Sequence, residues 1–216
     1  PHIVTARVAM ALFDQDVRII DLSGDFRLRQ ISDYRRYYAD QHPCPERLGS
    51  FTYGMPELYE EQIKVANYVA NPGCFATCIA TALLPLADSG HLQKATVRVV
   101  ALTGSTGSGV HPQVGNHHSV RSNNIKTYKL FQHQHTPEIL QTLAAAGADQ
   151  VNLDFVPVSA PITRGMMSIS QLDMPAGIAE DELRACYERY YRNFPLISVL
   201  PRGVSPEVVA VKNSAR

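Results

Sequence analysis

The stretch Asn71-Pro72-Gly73-Cys74-Phe75-Ala76-Thr77 constrains this chain more than any other. A short, mostly apolar run from Val65 to Ala70 precedes it and reads as a strand. Phe75 to Ala87 follows, apolar nearly all round, as in a buried helix. A Pro-Gly turn between the two sets Cys74 at or next to the helix N-terminus. There, unpaired N–H groups and the positive end of the helix dipole favour a thiolate over a thiol. The same N–H groups could hold an oxyanion if a carbonyl were attacked there. A buried structural cysteine on a tight turn gives the same local pattern.

At 216 residues the chain can bury a real core as one large or two small domains. Its twenty basic and twenty acidic residues cancel, which points away from nucleic acid and membrane surfaces as partners. No apolar run reaches the roughly 18 residues of a membrane span, and the first residues show no signal-peptide pattern. Four cysteines, Cys44, Cys74, Cys78 and Cys186, are too few and too irregularly spaced for a disulfide scaffold. A reducing, cytoplasmic home is expected.

Val8 to Leu12 reads as a short helix and Val17 to Leu22 as a strand, which runs into the polar loop Ser23-Gly24-Asp25-Phe26-Arg27. Loops of that kind carry ligand contacts in α/β proteins. Ser32 or Asp33 can cap a helix through Tyr38, and Pro56 to Lys64 is a helix with proline in its first turn. Ala95 to Leu102 is a strand that empties into Thr103-Gly104-Ser105-Thr106-Gly107-Ser108-Gly109. The polar, histidine-rich stretch His111 to Asn124 comes next and is long for an idle loop. Tyr128 to Gln134 is expected as a strand and Thr136 to Ala145 as a helix. Val151 to Val158 and Met166 to Leu172 are expected as strands of a mostly antiparallel sheet. Glu180 to Asn193 is an amphipathic helix whose stripe of Leu183, Cys186, Tyr187, Tyr190 and Tyr191 is core packing. Ile197 to Leu200 and Val208 to Val211 offer two more strands.

Cys74 needs a partner to exchange protons with. His133-Gln134-His135 is the best candidate, because imidazole titrates near neutrality. A His-x-His pair on a strand is also metal-ligand spacing, but no supporting ligand set accompanies it and no metal is expected. Cys74 and Cys78 stand four apart, a weak hint of redox pairing. The Gly104 to Gly109 loop is rich in backbone donors for an anion, although its glycine order fits neither a Walker motif nor the dinucleotide fingerprint. Arg27 and Arg164, each in a glycine-containing loop beside a strand, could bind a phosphate or carboxylate; both also read as surface or ion-paired arginines.

Six stretches in order along the chain then matter together. They are Asp21-Leu22-Ser23-Gly24-Asp25-Phe26-Arg27, Tyr53-Gly54-Met55-Pro56-Glu57-Leu58, Asn71-Pro72-Gly73-Cys74, Gly104-Ser105-Thr106-Gly107-Ser108-Gly109, His133-Gln134-His135-Thr136-Pro137-Glu138-Ile139 and Thr163-Arg164-Gly165. Collectively they resemble the N-acetyl-gamma-glutamyl-phosphate reductases over essentially the whole length. The resemblance implies an NADP-dependent oxidoreductase of arginine biosynthesis, similar in plan to aspartate-semialdehyde dehydrogenase and acting as a homo-oligomer. It implies that Cys74 attacks the acyl phosphate of a small-molecule substrate and forms a thioester, which hydride from NADPH reduces to the semialdehyde. His133 looks like the acid/base member, with His135 the second choice. Arg27, Glu138, Arg164 and Ser105 would contact substrate, and Ser23, Gly107 and Gly109 the cofactor.

The expected fold is α/β: the C-terminal part of a Rossmann-type domain over residues 1–73, then an α+β substrate and dimerisation domain over 74–216 with a mixed, mostly antiparallel sheet. Family members carry a glycine-rich nucleotide loop that nothing here matches, and they continue past the region of Ser205 to Arg216. An internal fragment is therefore expected. A related reductase acting on carrier-linked aminoadipyl phosphate in lysine biosynthesis shares most of these motifs. A Cys–His hydrolase or acyl transferase, and a non-catalytic fragment, are the other classes the residues allow.

Overall fold

Three short strands, each followed by a loop that leads into a helix, shape the first third of the chain. The computed structural model describes residues 3–13, 15–38, 41–174 and 177–211. The opening Pro1-His2 and the end of the tail lie outside the described residues. Pro1–Thr77 with Gln134–Thr142 pack as one compact unit, and Cys78–His133 with Leu143–Arg216 as a second.

In the first unit, α1 (Val4–Met10) leads to β1 (Ile19–Asp21), then α2 (Ile31–Tyr38), β2 (Thr52–Tyr53), α3 (Pro56–Val65) and β3 (Tyr68–Ala70). The strands form a parallel sheet in the order β1-β3-β2, with Asp21 and Tyr53 both paired to Ala70. Ala6, Ala9, Phe26, Cys44, Phe51 and Ala70 build the core. Phe26 stacks on Phe51 at 4.1 Å, and Phe13 meets both rings edge-on. The fully buried carboxylate of Asp25 accepts the amides of Ile3 and Ala6, two of the donors a helix start leaves without partners, and the hydroxyl of Tyr34. The loop after β1 thus caps a helix that begins about twenty residues earlier. His42 fixes the same loop: its Nδ1 accepts the Cys44 amide, which leaves Nε2–H to donate to the Asp25 carbonyl at 2.8 Å.

The second unit takes α4 (Cys74–Asp88) from Cys78 onward. It continues with β4 (Thr96–Thr103), a single helical turn α5 (His118–Arg121), β5 (Lys126–Thr127), β6 (Asn152–Ser159), β7 (Met166–Gln171) and α7 (Glu180–Tyr190). The helix α6 (Thr136–Ala145) lies between β5 and β6 in the sequence. The sheet order is β5-β6-β4-β7, with β4 parallel to β6, β4 antiparallel to β7 and β5 antiparallel to β6. The fold is therefore α/β, a parallel three-stranded sheet plus a mixed four-stranded one. Pro85 sits inside α4, where a proline has no N–H to give the carbonyl four residues back. That carbonyl, Thr81, instead accepts the Tyr191 hydroxyl at 2.5 Å, and its neighbour Ala82 accepts that of Tyr187 at 2.6 Å. The tyrosine stripe packs as expected, with Cys186 and Tyr191 buried.

Five expectations change. Tyr128 to Gln134 is not a strand: Lys129 and Phe131 take positive φ values, which break an extended run, and the ladder ends at Lys126–Thr127, although the Tyr128 and Phe131 amides still donate to the Pro157 and Phe155 carbonyls of β6. Ile197 to Leu200 is irregular, and Val208 to Val211 forms a 3-10 turn whose Val208 packs against Gly165. Val65 closes α3 rather than opening β3. Ser32 and Asp33 lie inside the first turn of α2. Among the described residues no helix is long and apolar enough to cross a membrane.

Candidate active site

Parallel strands bring their carboxyl ends to one edge, and in the first unit those ends lead into Leu22-Ser23, Gly54 and Asn71-Pro72-Gly73-Cys74. The backbone ties them together: the Asn71 amide donates to the Asp21 carbonyl, and the Gly54 amide to that of Ala70. Arg27 spans the edge with its side chain. Its Nε donates to the Asn71 carbonyl at 2.7 Å and one Nη to the Leu22 carbonyl at 3.1 Å. Its other Nη lies 3.4 Å from a Glu138 carboxylate oxygen.

Glu138 is the hub. Its carboxylate is fully buried in the first turn of α6. One oxygen faces Arg27 and stands 3.8 Å from His135 Nε2; the other accepts the Tyr53 hydroxyl at 3.0 Å and the Gly73 amide at 2.9 Å. Burial pushes its carboxyl above the usual range, against Arg27, the Gly73 amide and the Tyr53 hydroxyl, which hold it down. Tyr53 is raised in turn, by burial first and then by the carboxylate. The Thr142 hydroxyl donates back to the Glu138 carbonyl at 2.7 Å. A carboxylate this deep is tolerable only because every oxygen faces a donor or a cation.

His135 lies flat against the Pro-Gly turn. A Cβ on Gly73 would overlap its ring, so glycine at 73 is what lets imidazole approach the residue preceding Cys74. Phe75 backs the ring edge-on at 6.3 Å. Cys74 opens α4 with an exposed side chain. The Phe75 and Cys74 amides and Arg27 all favour its thiolate, as expected of a helix start. Loss of water outweighs them: crowding by protein atoms pushes the thiol upward. That direction favours the thiol over the thiolate, so a nucleophilic role for Cys74 would call for a base.

His133, in the second unit, has different surroundings. It is buried, edge-on to Tyr128 at 5.7 Å and Phe155 at 5.3 Å, and burial helped by Lys129 lowers its pKa to about 4. The structure therefore brings Cys74, His135, Glu138 and Arg27 together in one unit, while Ser105, Gly107, Gly109, His133 and Arg164 belong to the other. The glycine-rich loop spends its donors internally. The amides of Gly104, Ser105 and Thr106 donate to carbonyls of the Ile162–Gly165 turn, and those of Gly107 and Gly109 to carbonyls of the loop itself. A Cβ at Gly104 would strike Thr163 and Arg164, so the two turns are laid against each other. Thr106, Ser108 and Arg164 are exposed, and the Thr106 hydroxyl donates to the Thr163 carbonyl at 3.0 Å. Ser23 pairs with Asp21 through both amide and hydroxyl and accepts the Asp25 amide.

Tyr53 and Gly73 were not among the expected site residues. Both stand inside the motifs that carry the resemblance, but only the folded chain puts them on Glu138, 85 and 65 residues away.

Comparisons with known proteins agree with this architecture. Residues 74–216 match the family model described as semialdehyde dehydrogenase, dimerisation domain. Curated relatives include the N-acetyl-gamma-glutamyl-phosphate reductase of Magnetococcus marinus, 36% identical over 214 residues, covering 99% of this chain and 61% of that protein. That of Saccharophagus degradans is 37% identical over 219 residues, with 99% and 62% covered. This chain thus spans a little over three-fifths of the length of such relatives. Among solved structures, aspartate semialdehyde dehydrogenase II of Vibrio cholerae aligns with a TM-score of 0.66 at 15% identity, over 95% of this chain and 62% of that one. A probable aspartate-semialdehyde dehydrogenase of Pseudomonas aeruginosa aligns at 0.58 and 15%, over 94% and 62%. These structures share the fold.

Proposed function

The chain belongs to the semialdehyde dehydrogenase family, and we propose that it carries the thiol chemistry of an N-acetyl-gamma-glutamyl-phosphate reductase, a step of arginine biosynthesis. The observation that carries this is the packing of His135 on Gly73, with Glu138 holding the Gly73 amide and facing the imidazole.

His135 takes the Cys74 proton, which the raised thiol would otherwise keep at neutral pH. The thiolate attacks the acyl carbon; the C–S bond forms, the C–O bond to the phosphoryl group breaks, and phosphate leaves. The Phe75 amide and its neighbours at the start of α4 face the oxyanion of that step. NADPH, when bound, supplies the hydride that reduces the thioester carbonyl. His135 returns its proton to the oxygen, giving a thiohemiacetal on Cys74. It then removes that proton as C=O re-forms, the C–S bond breaks and the semialdehyde departs. Glu138 keeps the imidazole oriented and stabilises its protonated form.

For the cofactor, Ser23 sits where a parallel sheet presents dinucleotide contacts. Gly107 and Gly109 would meet it through exposed backbone surface, since their amides are already engaged. Arg164, exposed beside the loop with Ser105, suits the substrate carboxylate or phosphate. The match to a dimerisation domain supports a homo-oligomer as the working form.

The test uses the acyl-transfer half, which requires no NADPH. Mixing the chain with N-acetylglutamyl phosphate should release one equivalent of phosphate and add the acyl mass to the peptide holding Cys74. A full phosphate yield from the Cys74→Ser protein would overturn the assignment.

A further inference from the structure

The polar stretch His111 to Asn124 takes no part in the chemistry above, yet one of its charged side chains turns inward. Every residue of the stretch is exposed except Asn116 and Arg121, which are half-buried. Arg121 closes the single turn α5 and reaches the carboxyl ends of β4 and β6, which pair in parallel at Thr103 and Ser159. One Nη donates to the Ser159 hydroxyl. The other donates to the Thr103 carbonyl at 3.4 Å and the Ala160 carbonyl at 3.1 Å. The chain thus leaves β4 at Thr103 and returns 18 residues later to hold the same carbonyl. Three acceptors on two strand ends are met by one planar, charged fork, which a lysine does not reproduce.

What lies just beyond those strand ends is the pair of turns that presents Arg164. Thr103 leads into the glycine-rich loop and Ala160 into the Ile162–Gly165 turn. The Gly104 amide donates to the Gly165 carbonyl at 3.0 Å and the Thr106 amide to the Thr163 carbonyl at 3.1 Å, so the residues on both sides of Arg164 are bonded to the loop. On Gly165 itself, the positive φ and the missing Cβ make room for Val208. The backbone at Arg164 is therefore fixed, while its side chain is exposed. A guanidinium that must meet an anion in one orientation needs such a rigid base under it.

We propose that Arg121 is a positioning residue for Arg164. By joining the ends of β4 and β6 it sets the paired turns, and with them the point from which the Arg164 guanidinium meets the carboxylate or phosphate of the substrate. Arg164 carries the substrate contact proposed above, and the role of Arg121 rests on that reading.

Amide hydrogen exchange and acylation kinetics on the same proteins test it. Arg121→Ala should speed exchange at Gly104 to Thr106 at least tenfold and leave Val97 to Val99 unchanged. In single-turnover phosphate release from N-acetylglutamyl phosphate, it should raise the half-saturating concentration at least tenfold and keep the limiting rate within twofold. Arg164→Ala should raise the same concentration, and adding Arg121→Ala to it should raise it less than twofold further, because both changes remove one contact. Arg121→Lys, which keeps the charge without the fork, should fall between Arg121→Ala and the unchanged chain. Unaltered exchange in the loop, a lower limiting rate at unchanged half-saturation, or additive effects of the two alanine substitutions would overturn the positioning role. Phosphate release from the unchanged chain would then leave the proposed function standing, whereas its absence overturns both.

Discussion

His135 and His133 stand two residues apart in sequence and in opposite surroundings. The ring of His135 rests on a backbone turn and faces a buried carboxylate that an arginine, a tyrosine and an amide hold in place. The ring of His133 is wedged against Tyr128 and Phe155, where burial favours the neutral form so strongly that protonation waits until about pH 4. One ring has a buried carboxylate within reach, and the other sits where burial disfavours its charged form. Imidazole is the same in both; what differs is whether its neighbours can stabilise a charge.

Removing the sulfur tests the premise beneath this contrast: Cys74→Ser should abolish acylation, read as the missing mass shift on the peptide. Next, His135→Asn should cut turnover about 10² to 10⁴-fold, the range of a lost general acid/base, whereas His133→Asn should change it less than tenfold. Equal losses in steady-state kinetics would erase the distinction. The pH dependence of stability isolates His133. Its folded pKa of about 4 lies below the ordinary 6.5, so between these values the unfolded chain binds more protons than the folded one. Stability is then fully present above pH 6.5 and falls as pH drops toward 4, by about 3 kcal/mol at most. Urea titrations across that window should show the slope, and His133→Asn should flatten it. Tyr53→Phe tests the support of His135: loss of its bond to the Glu138 carboxylate should cost about 1.5–3 kcal/mol of stability and lower turnover with little change in KM.

Local pattern revealed much of this arrangement. The turn at Asn71 to Cys74, the buried helix after it and the strand at Thr96 follow from apolar periodicity and turn chemistry over a few residues. Glu138 could be named from its motif, but its partners could not, because Arg27 and Tyr53 come from other strand ends and meet only in the folded sheet. The thiol's upward shift was equally hidden. The helix-end amides that lower it can be read locally, whereas the crowding that raises it exists only in the folded chain. The strands expected at Ile197 and Val208 failed because β-branched runs describe a residue's fitness for a sheet and say nothing of a partner strand. Lys129 and Phe131 took left-handed backbone angles that their side chains give no reason to anticipate.

Pro85 carries a last consequence. By withholding an amide it leaves a carbonyl at Thr81 that the Tyr191 hydroxyl completes, so a defect in one helix became the docking point for another. The two residues should be energetically inseparable. Tyr191→Phe ought to cost about 1 kcal/mol with proline present and close to nothing once Pro85→Ala restores the amide, a non-additivity visible in a double-mutant cycle of unfolding free energies.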